Sequence, residues 1–213
     1  MEYLQLTIGA TITPLLIAYL IYVKDKYIKN NYKLLLQFFI IGCLLSIPAV
    51  IIELLLDKPF LHNNILKWFI GVALVEEGLK YIVLLKFKSS LIDIYDGIKY
   101  STIMSMGFAM VENVLYAIKN TETGFEVVAL RMFTAIPGHF IYGLIMGYIL
   151  CLGDTKIKYK SILVFVSLLI PVIIHGGYDY FISNNNFLGL FIDLIAFISF
   201  YKPFNNFINF KLS

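Results

Sequence analysis

The sequence predicts an all-α protein: a polytopic transmembrane helix bundle of about seven spans, N-terminus out and C-terminus in. Three observations carry that reading. Of the 213 residues, 60% are hydrophobic and only 15% charged, too little polar surface to keep a domain of this length in solution. The apolar residues gather into runs of about 20, the length that crosses a bilayer core as a helix. The lysines fall mostly between those runs and are shared unequally between its two sides.

The spans run over roughly 3–23, 34–56, 65–86, 95–118, 127–150, 161–182 and 187–204. The first follows Met1-Glu2-Tyr3, without a basic leader or a small-residue cleavage pattern. It therefore reads as a retained span and not as a signal peptide. The loop KDKYIKNNYK (24–33) after it carries four lysines. The second span is followed by the connection 57–64, with Lys58 alone. The third carries VALVEEGLKY (72–81) and ends at Lys86 and Lys88. The fourth, with Asp96, Lys99, Ser101, Thr102 and Ser105, is the least apolar. It needs shielding by other helices or by water, and its small polar residues suit packing between helices. Lys119 follows it. The fifth span leads to Lys156, Lys158 and Lys160, and the sixth to a connection with no lysine. The seventh ends in a tail with Lys202 and Lys211. The lysine-rich side is the cytoplasmic one, which fixes the orientation given above. Short connections make neighbouring spans antiparallel. No repeat or linker divides residues 1–213, which form one integral-membrane domain.

The formal net charge is only +3, which argues neither for nucleic acid nor for an acidic substrate, and no nucleic-acid partner is expected. Lipid is the expected surroundings. Cys43 and Cys151 show no metal-type or paired spacing and read as reduced packing residues. The richness in Lys, Asn, Ile, Tyr and Phe suggests an AT-rich bacterial genome, hence a multi-pass protein of a bacterial cell membrane.

Against this apolar background the ionisable residues stand out. Each charge near a bilayer centre costs on the order of 2.5–3.5 kcal/mol on insertion scales. Lys67, Arg131 and Asp179 lie near predicted span ends, where side chains snorkel, and Glu53 lies where it would be interfacial. Asp193 stands alone on the last span and reads as structural. The remainder come in helical pairs: Glu76 with Lys80 at i,i+4, Glu77 with Lys80 at i,i+3, and His175 with Asp179 at i,i+4. Glu112 and Asn113 add a carboxylate and an amide, and His139 a second imidazole. In the predicted orientation Glu77 and His139 lie roughly 18 Å from the outer ends of their helices, Glu112 and His175 roughly 10 Å. One layer of a bundle can bring these four together.

Carboxylates and imidazoles in one layer point to hydrolysis. A carboxylate activates water as a general base, and an imidazole orients it or stabilises charge. The same groups are ligands of catalytic zinc, which makes Glu77, Glu112, His139 and His175 candidate ligands for Zn2+. Asp179 would hold the His175 tautomer. Glu76 and Glu77 project about 100° apart, so one faces the water or metal while the other pairs with Lys80. The spacing does not say which. There is no HExxH helix, no GxSxG elbow and no paired intramembrane aspartate motif.

Four blocks then match a family pattern: EEGLK (76–80), FAMVEN (108–113), PGHFIYG (137–143) and HGGYD (175–179). In order and spacing they resemble the PrsW family of intramembrane proteases, within the superfamily that includes CAAX prenyl endopeptidases. The resemblance implies a protease cutting a membrane-anchored, single-span protein, such as an anti-sigma factor, near its extracytoplasmic side. It implies catalytic roles for Glu76, Glu77, Glu112, His139 and His175, supported by Lys80, Asn113 and Asp179. Two mechanisms stay open, a zinc-bound water and a glutamate-activated water without metal. Two other readings are a proton-coupled transporter, against which the lack of repeated halves argues, and a non-catalytic binding or immunity protein of the same fold.

Overall fold

A computed structural model describes residues 2–28, 31–60, 63–119, 124–184 and 186–209. All regular structure among them is helical. The order is α1 (Glu2–Ile28), α2 (Tyr32–Phe60), one turn of α3 (Asn64–Leu66), a π-helical stretch (Lys67–Ala73) and α4 (Leu74–Lys86). Then follow α5 (Ile94–Lys119), α6 (Gly124–Phe133), α7 (Ala135–Thr155), α8 (Lys160–Ser183), α9 (Leu188–Ser199) and α10 (Tyr201–Ile208). Of the lysines used for orientation, Lys29 and Lys211 lie outside the described residues.

Among the described residues, four helical stretches are long and apolar enough to cross a membrane: Tyr32–Asp57, Ile94–Lys119, Phe125–Thr155 and Ile157–Ser183. The pair α9 and α10, bent by 57°, makes a fifth if counted as one span. The apolar part of α1, Thr7–Val23, is shorter. The expected third span, 65–86, is not uniformly apolar, because Lys67, Glu76, Glu77, Lys80 and Lys86 interrupt it.

Two spans expected to be continuous are broken, each three residues before a proline, although Pro14 and Pro171 lie inside helices that run on. Proline has no N–H for the carbonyl four residues back, and its ring crowds that carbonyl. Pro137 withholds its bond from Phe133, where α6 ends. It is tolerated in the first turn of α7, where no such bond is required. Pro203 withholds its bond from Ser199, where α9 ends, and sits in the first turn of α10. The first of these breaks falls at Thr134, five residues before His139.

The least apolar span becomes the centre of the bundle. Helix α5 packs against α1, α2, α6 and α7, and both its faces are buried from Tyr95 to Ala109. Its charges are paired inside: Lys99 lies 3.1 Å from Asp96 and 4.2 Å from the centre of the Tyr100 ring. By contrast Leu44, Ile47, Ile51, Leu54 and Leu55 of α2 are exposed by half or more, an apolar face suited to lipid tails.

Small residues set the distance between α5 and its neighbours. A Cβ on Gly107 would overlap the Phe39 carbonyl of α2, and one on Gly42 the Met104 carbonyl of α5. Gly143 meets Ser101 and Ser105 in the same way, and Gly147 lies against Gly97, drawing α7 onto α5. Gly107→Val is therefore expected to force α2 and α5 apart. Overpacking of this kind costs about 1–3 kcal/mol or more. A lowered thermal midpoint in detergent would register it, and an unchanged midpoint would contradict the crossing.

A candidate active site of carboxylates and imidazoles

Four helices each bring one part of the site. The first turn of α4 supplies Glu76 and Glu77, with Lys80 one turn on, and all three are buried. The Lys80 ammonium donates to Glu77 Oε1 at 2.8 Å and lies 3.7 Å from Glu76 Oε2. The closer contact belongs to the i,i+3 pair, so Glu77 is the carboxylate that Lys80 holds. The face of the Phe108 ring of α5 lies 4.1 Å from the same ammonium and supports it as a cation–π partner. Phe108 therefore walls the site as well as packing the core.

His139 of α7 and His175 of α8 close on this pair from the other side. His175 Nδ1 is 3.0 Å from Glu77 Oε1, and its Nε2 is 3.2 Å from Asp179 Oδ2. His139 Nδ1 is 3.4 Å from Lys80 Nζ, and its Nε2 is 2.7 Å from Glu112 Oε2. Each ring thus turns Nδ1 inward and offers Nε2 to a carboxylate behind it. That outer carboxylate fixes ring orientation and tautomer, as it does for histidines that bind metals or move protons. Asp179 takes the place expected from its spacing. Glu112 does the same for His139, and its other oxygen is held by Arg131 at 2.8 Å.

The convergent set differs by one residue from the expected ligands. Among the described residues, ligand atoms of Glu76, Glu77, His139 and His175 all lie within 4.8 Å of one another. Glu112, expected in that set, stands one bond further out, with both oxygens engaged by Arg131 and His139. Glu76 takes its place. Glu76 Oε2 and Glu77 Oε2 are buried without a hydrogen-bond partner. An orphaned buried acceptor costs about 1–3 kcal/mol, so both oxygens call for a water or a cation.

A cavity of about 450 Å³ reaches this cluster between α2, the π-helical stretch, α4 and α5. Glu76, Phe108, Glu112 and Asp179 line it. Glu77 and the two histidines are not part of its wall. Glu76 is therefore the carboxylate of the EE pair that meets whatever fills the cavity. The π-helical stretch belongs to this wall and is brought close to α8 by Gly176. A Cβ there would meet the Phe69 ring at 2.8 Å. Widened helical turns of this type recur at functional sites.

Several residues hold the site from behind. Arg131, placed near a span end by the sequence, is turned inward. It bonds Glu112, donates from Nε to Asn113 Oδ1 at 2.9 Å, and lies 3.9 Å from the centre of the Tyr116 ring. Asn113 in turn donates to the Ala10 carbonyl of α1 at 3.0 Å, which ties α5 to α1. Asp193 does not stand alone: Tyr142 donates to its Oδ1 at 2.9 Å. The Tyr142 ring stacks on His175 at 4.8 Å and meets His139 edge-on at 5.8 Å. Tyr142 is not among the residues that charge or motif singles out. Its position three residues after His139 on one helical face is the signal that finds it. Glu53, read as interfacial, lines the cavity.

Fold and site together define a class: a helical membrane protein whose bundle encloses a glutamate–histidine centre. Within that class the chain belongs to the PrsW family, for the family model described as "PrsW family intramembrane metalloprotease" matches residues 30–203. Curated relatives named "Protease PrsW" match over most of both chains. That of Oceanobacillus iheyensis is 34% identical, over 85% of this chain and 86% of its own. That of Shouchella clausii is 33% identical, over 77% of each. That of Bacillus subtilis is 28% identical, over 83% of each. No solved structure matches the chain.

Proposed function

We propose that this protein is an intramembrane endopeptidase that hydrolyses a peptide bond of a membrane-anchored protein, such as a single-span anti-sigma factor. The observation that carries the reading is the buried cluster of Glu76, Glu77, His139 and His175 at the end of a cavity within the bundle. Seven membrane passages, with the N-terminus outside, remain the arrangement that best uses the lysine distribution. They set the cluster between the midplane and the outer face, in a bacterial cell membrane.

Each group then has a task. Glu76 meets the cavity and has a free oxygen, so it accepts the proton of the attacking water. Glu77 is held by Lys80 and His175 and keeps both in place. His139 and His175 face the reacting centre through Nδ1, each locked by a carboxylate on Nε2. They stabilise charge on the substrate carbonyl or deliver a proton to the leaving amine. The apolar walls exclude bulk water and strengthen each of these contacts.

The donor set also suits a divalent metal. Two carboxylates and two imidazoles are zinc-type ligands, two of their oxygens are orphaned, and both rings have the outer carboxylate that metal-bound histidines use. Glu77, His139 and His175 would hold the ion beside Glu76, and it would supply Lewis acidity and a lowered water pKa. In the present geometry Lys80 provides the positive charge at that place.

The test is cleavage of a single-span reporter, tagged at both ends, by the protein reconstituted in liposomes. Wild type is expected to cut on the extracytoplasmic side. A zinc chelator is expected to reduce the rate and zinc to restore it. An intact reporter with folded protein would refute the endopeptidase reading. Cutting that survives chelation would leave the peptidase but remove the metal.

A further inference from the structure

Two carboxylates of the cavity wall, Glu53 and Asp57, take no part in the proposed chemistry, and of these only Asp57 is paired among the described residues. Glu53 sits in α2, within a stretch long and apolar enough to span the membrane. It is half-buried, and it lines the same cavity as Glu76 and Glu112. The other carboxylates of that wall are engaged: Asp57 with Lys67 at 2.7 Å, Glu76 near Lys80, Glu112 with Arg131, and Asp179 with His175. Glu53 has no hydrogen bond or ion pair among the described residues. The nearby charges acting on it are mixed, with Glu112 and Asp179 repelling and His175 and Lys80 attracting. Of the cations in the wall, Lys67 is taken by Asp57, and Lys119 is exposed at the end of α5.

An unpaired carboxylate inside a membrane helix is costly and marks a functional position unless something neutralises it. The cavity wall supplies a site for that partner, and the free counter-charge is the one a bound chain can bring. We propose that Glu53 forms a specificity subsite, receiving a lysine or arginine side chain of the polypeptide segment that enters the cavity. Such a side chain carries its own apolar stem, which suits the wall formed by Val50, Leu54 and Leu115. The ammonium or guanidinium then pairs with Glu53 away from bulk water. Cleavage in this protein is thereby directed to segments with a basic residue at a fixed distance from the bond that meets Glu76. This inference rests on the peptidase reading for its consequence, but the binding itself does not.

The chain has a built-in reporter. Its single tryptophan, Trp68, lies in the wall of the same cavity. The detergent-purified protein is titrated with short capped Leu/Ala peptides containing one lysine, one norleucine or one glutamate, moved through each position in turn. Trp68 emission reads binding. At one or two positions the lysine peptide is expected to bind at least about tenfold more tightly than the norleucine peptide, the size of one charged hydrogen bond. Glu53→Gln is expected to abolish that preference, and Glu53→Lys to transfer it to the glutamate peptide. Equal binding of the lysine and norleucine peptides overturns the proposal. So does a preference that survives Glu53→Gln, or no change in Trp68 emission with any peptide. Mass spectrometry of the same mixtures separates the two readings. Cation-dependent binding without cutting refutes the peptidase and leaves the subsite. Cutting that ignores the cation refutes the subsite and leaves the peptidase.

Discussion

Glu76→Gln is expected to lower kcat for reporter cleavage by about 10²–10⁴-fold, the usual contribution of a positioned general base. KM and thermal stability should hardly change. The substitution keeps shape and removes only charge. Glu76 Oε2 has no hydrogen bond to lose, and its ion contact with Lys80 is the longer one, at 3.7 Å. Glu77→Gln provides the contrast. It breaks the 2.8 Å bond to Lys80 and the 3.0 Å contact to His175 at a position with no exposure. It should lose stability and activity together. If Glu76→Gln retained more than about a tenth of wild-type kcat, the assignment of the base would fail.

Lys80→Met is expected to destabilise the protein by about 3–5 kcal/mol, because it strands a buried carboxylate without its counter-charge. Lys80 is 1% exposed and Glu77 0%, so solvent cannot take the ammonium's place. The methionine chain keeps the packing against Phe108 but not the charge. The informative measurement is a double-mutant cycle by denaturant unfolding in mixed micelles. Lys80→Met with Glu77→Gln should cost less than the two single changes added, with a coupling of about 0.5–3 kcal/mol. Strictly additive losses would mean that the two groups do not depend on each other, contrary to the geometry. Activity is expected to vanish in both single variants, since His139 and His175 lose the group they close upon.

The existence of the EE pair, its lysine and the two histidines was legible in the sequence, because charges on apolar helices are conspicuous and helical spacing pairs them. The i,i+4 partner of His175 was legible for the same reason. Glu112 was legible as a site residue but not as the residue behind His139. That role is a contact between α5 and α7, across 27 residues of chain, which no spacing within one helix reveals. Asp193 looked solitary because its partner, Tyr142, is 51 residues away in the chain. Glu53 looked interfacial because depth along a helix says nothing about which way a side chain faces.

The breaks of two spans were only partly within reach of the sequence, since Pro14, Pro48 and Pro171 stand inside helices that continue. Pro137 and Pro203 forbid a bond to the carbonyl four residues earlier wherever they occur, and hydropathy passes over this because proline does not lower it enough to end an apolar run. The polar face of α5 was legible as a demand for shielding. That the shield is α1, α2, α6 and α7 together was not.

By itself, the sequence determined that the chain is a bundle of apolar helices, which residues are charged inside it, and which of them are neighbours within one helix. These follow from local rules: hydrophobic length, 3.6-residue periodicity and the cost of burying charge. Only the tertiary structure decided that Glu77 is the anchor and Glu76 the group facing the cavity, and which carboxylate stands behind each histidine. Two adjacent residues on a helix point about 100° apart, and no local rule says which direction is inward. That choice is made where α4, α5, α7 and α8 meet, by packing between helices that are distant in the chain.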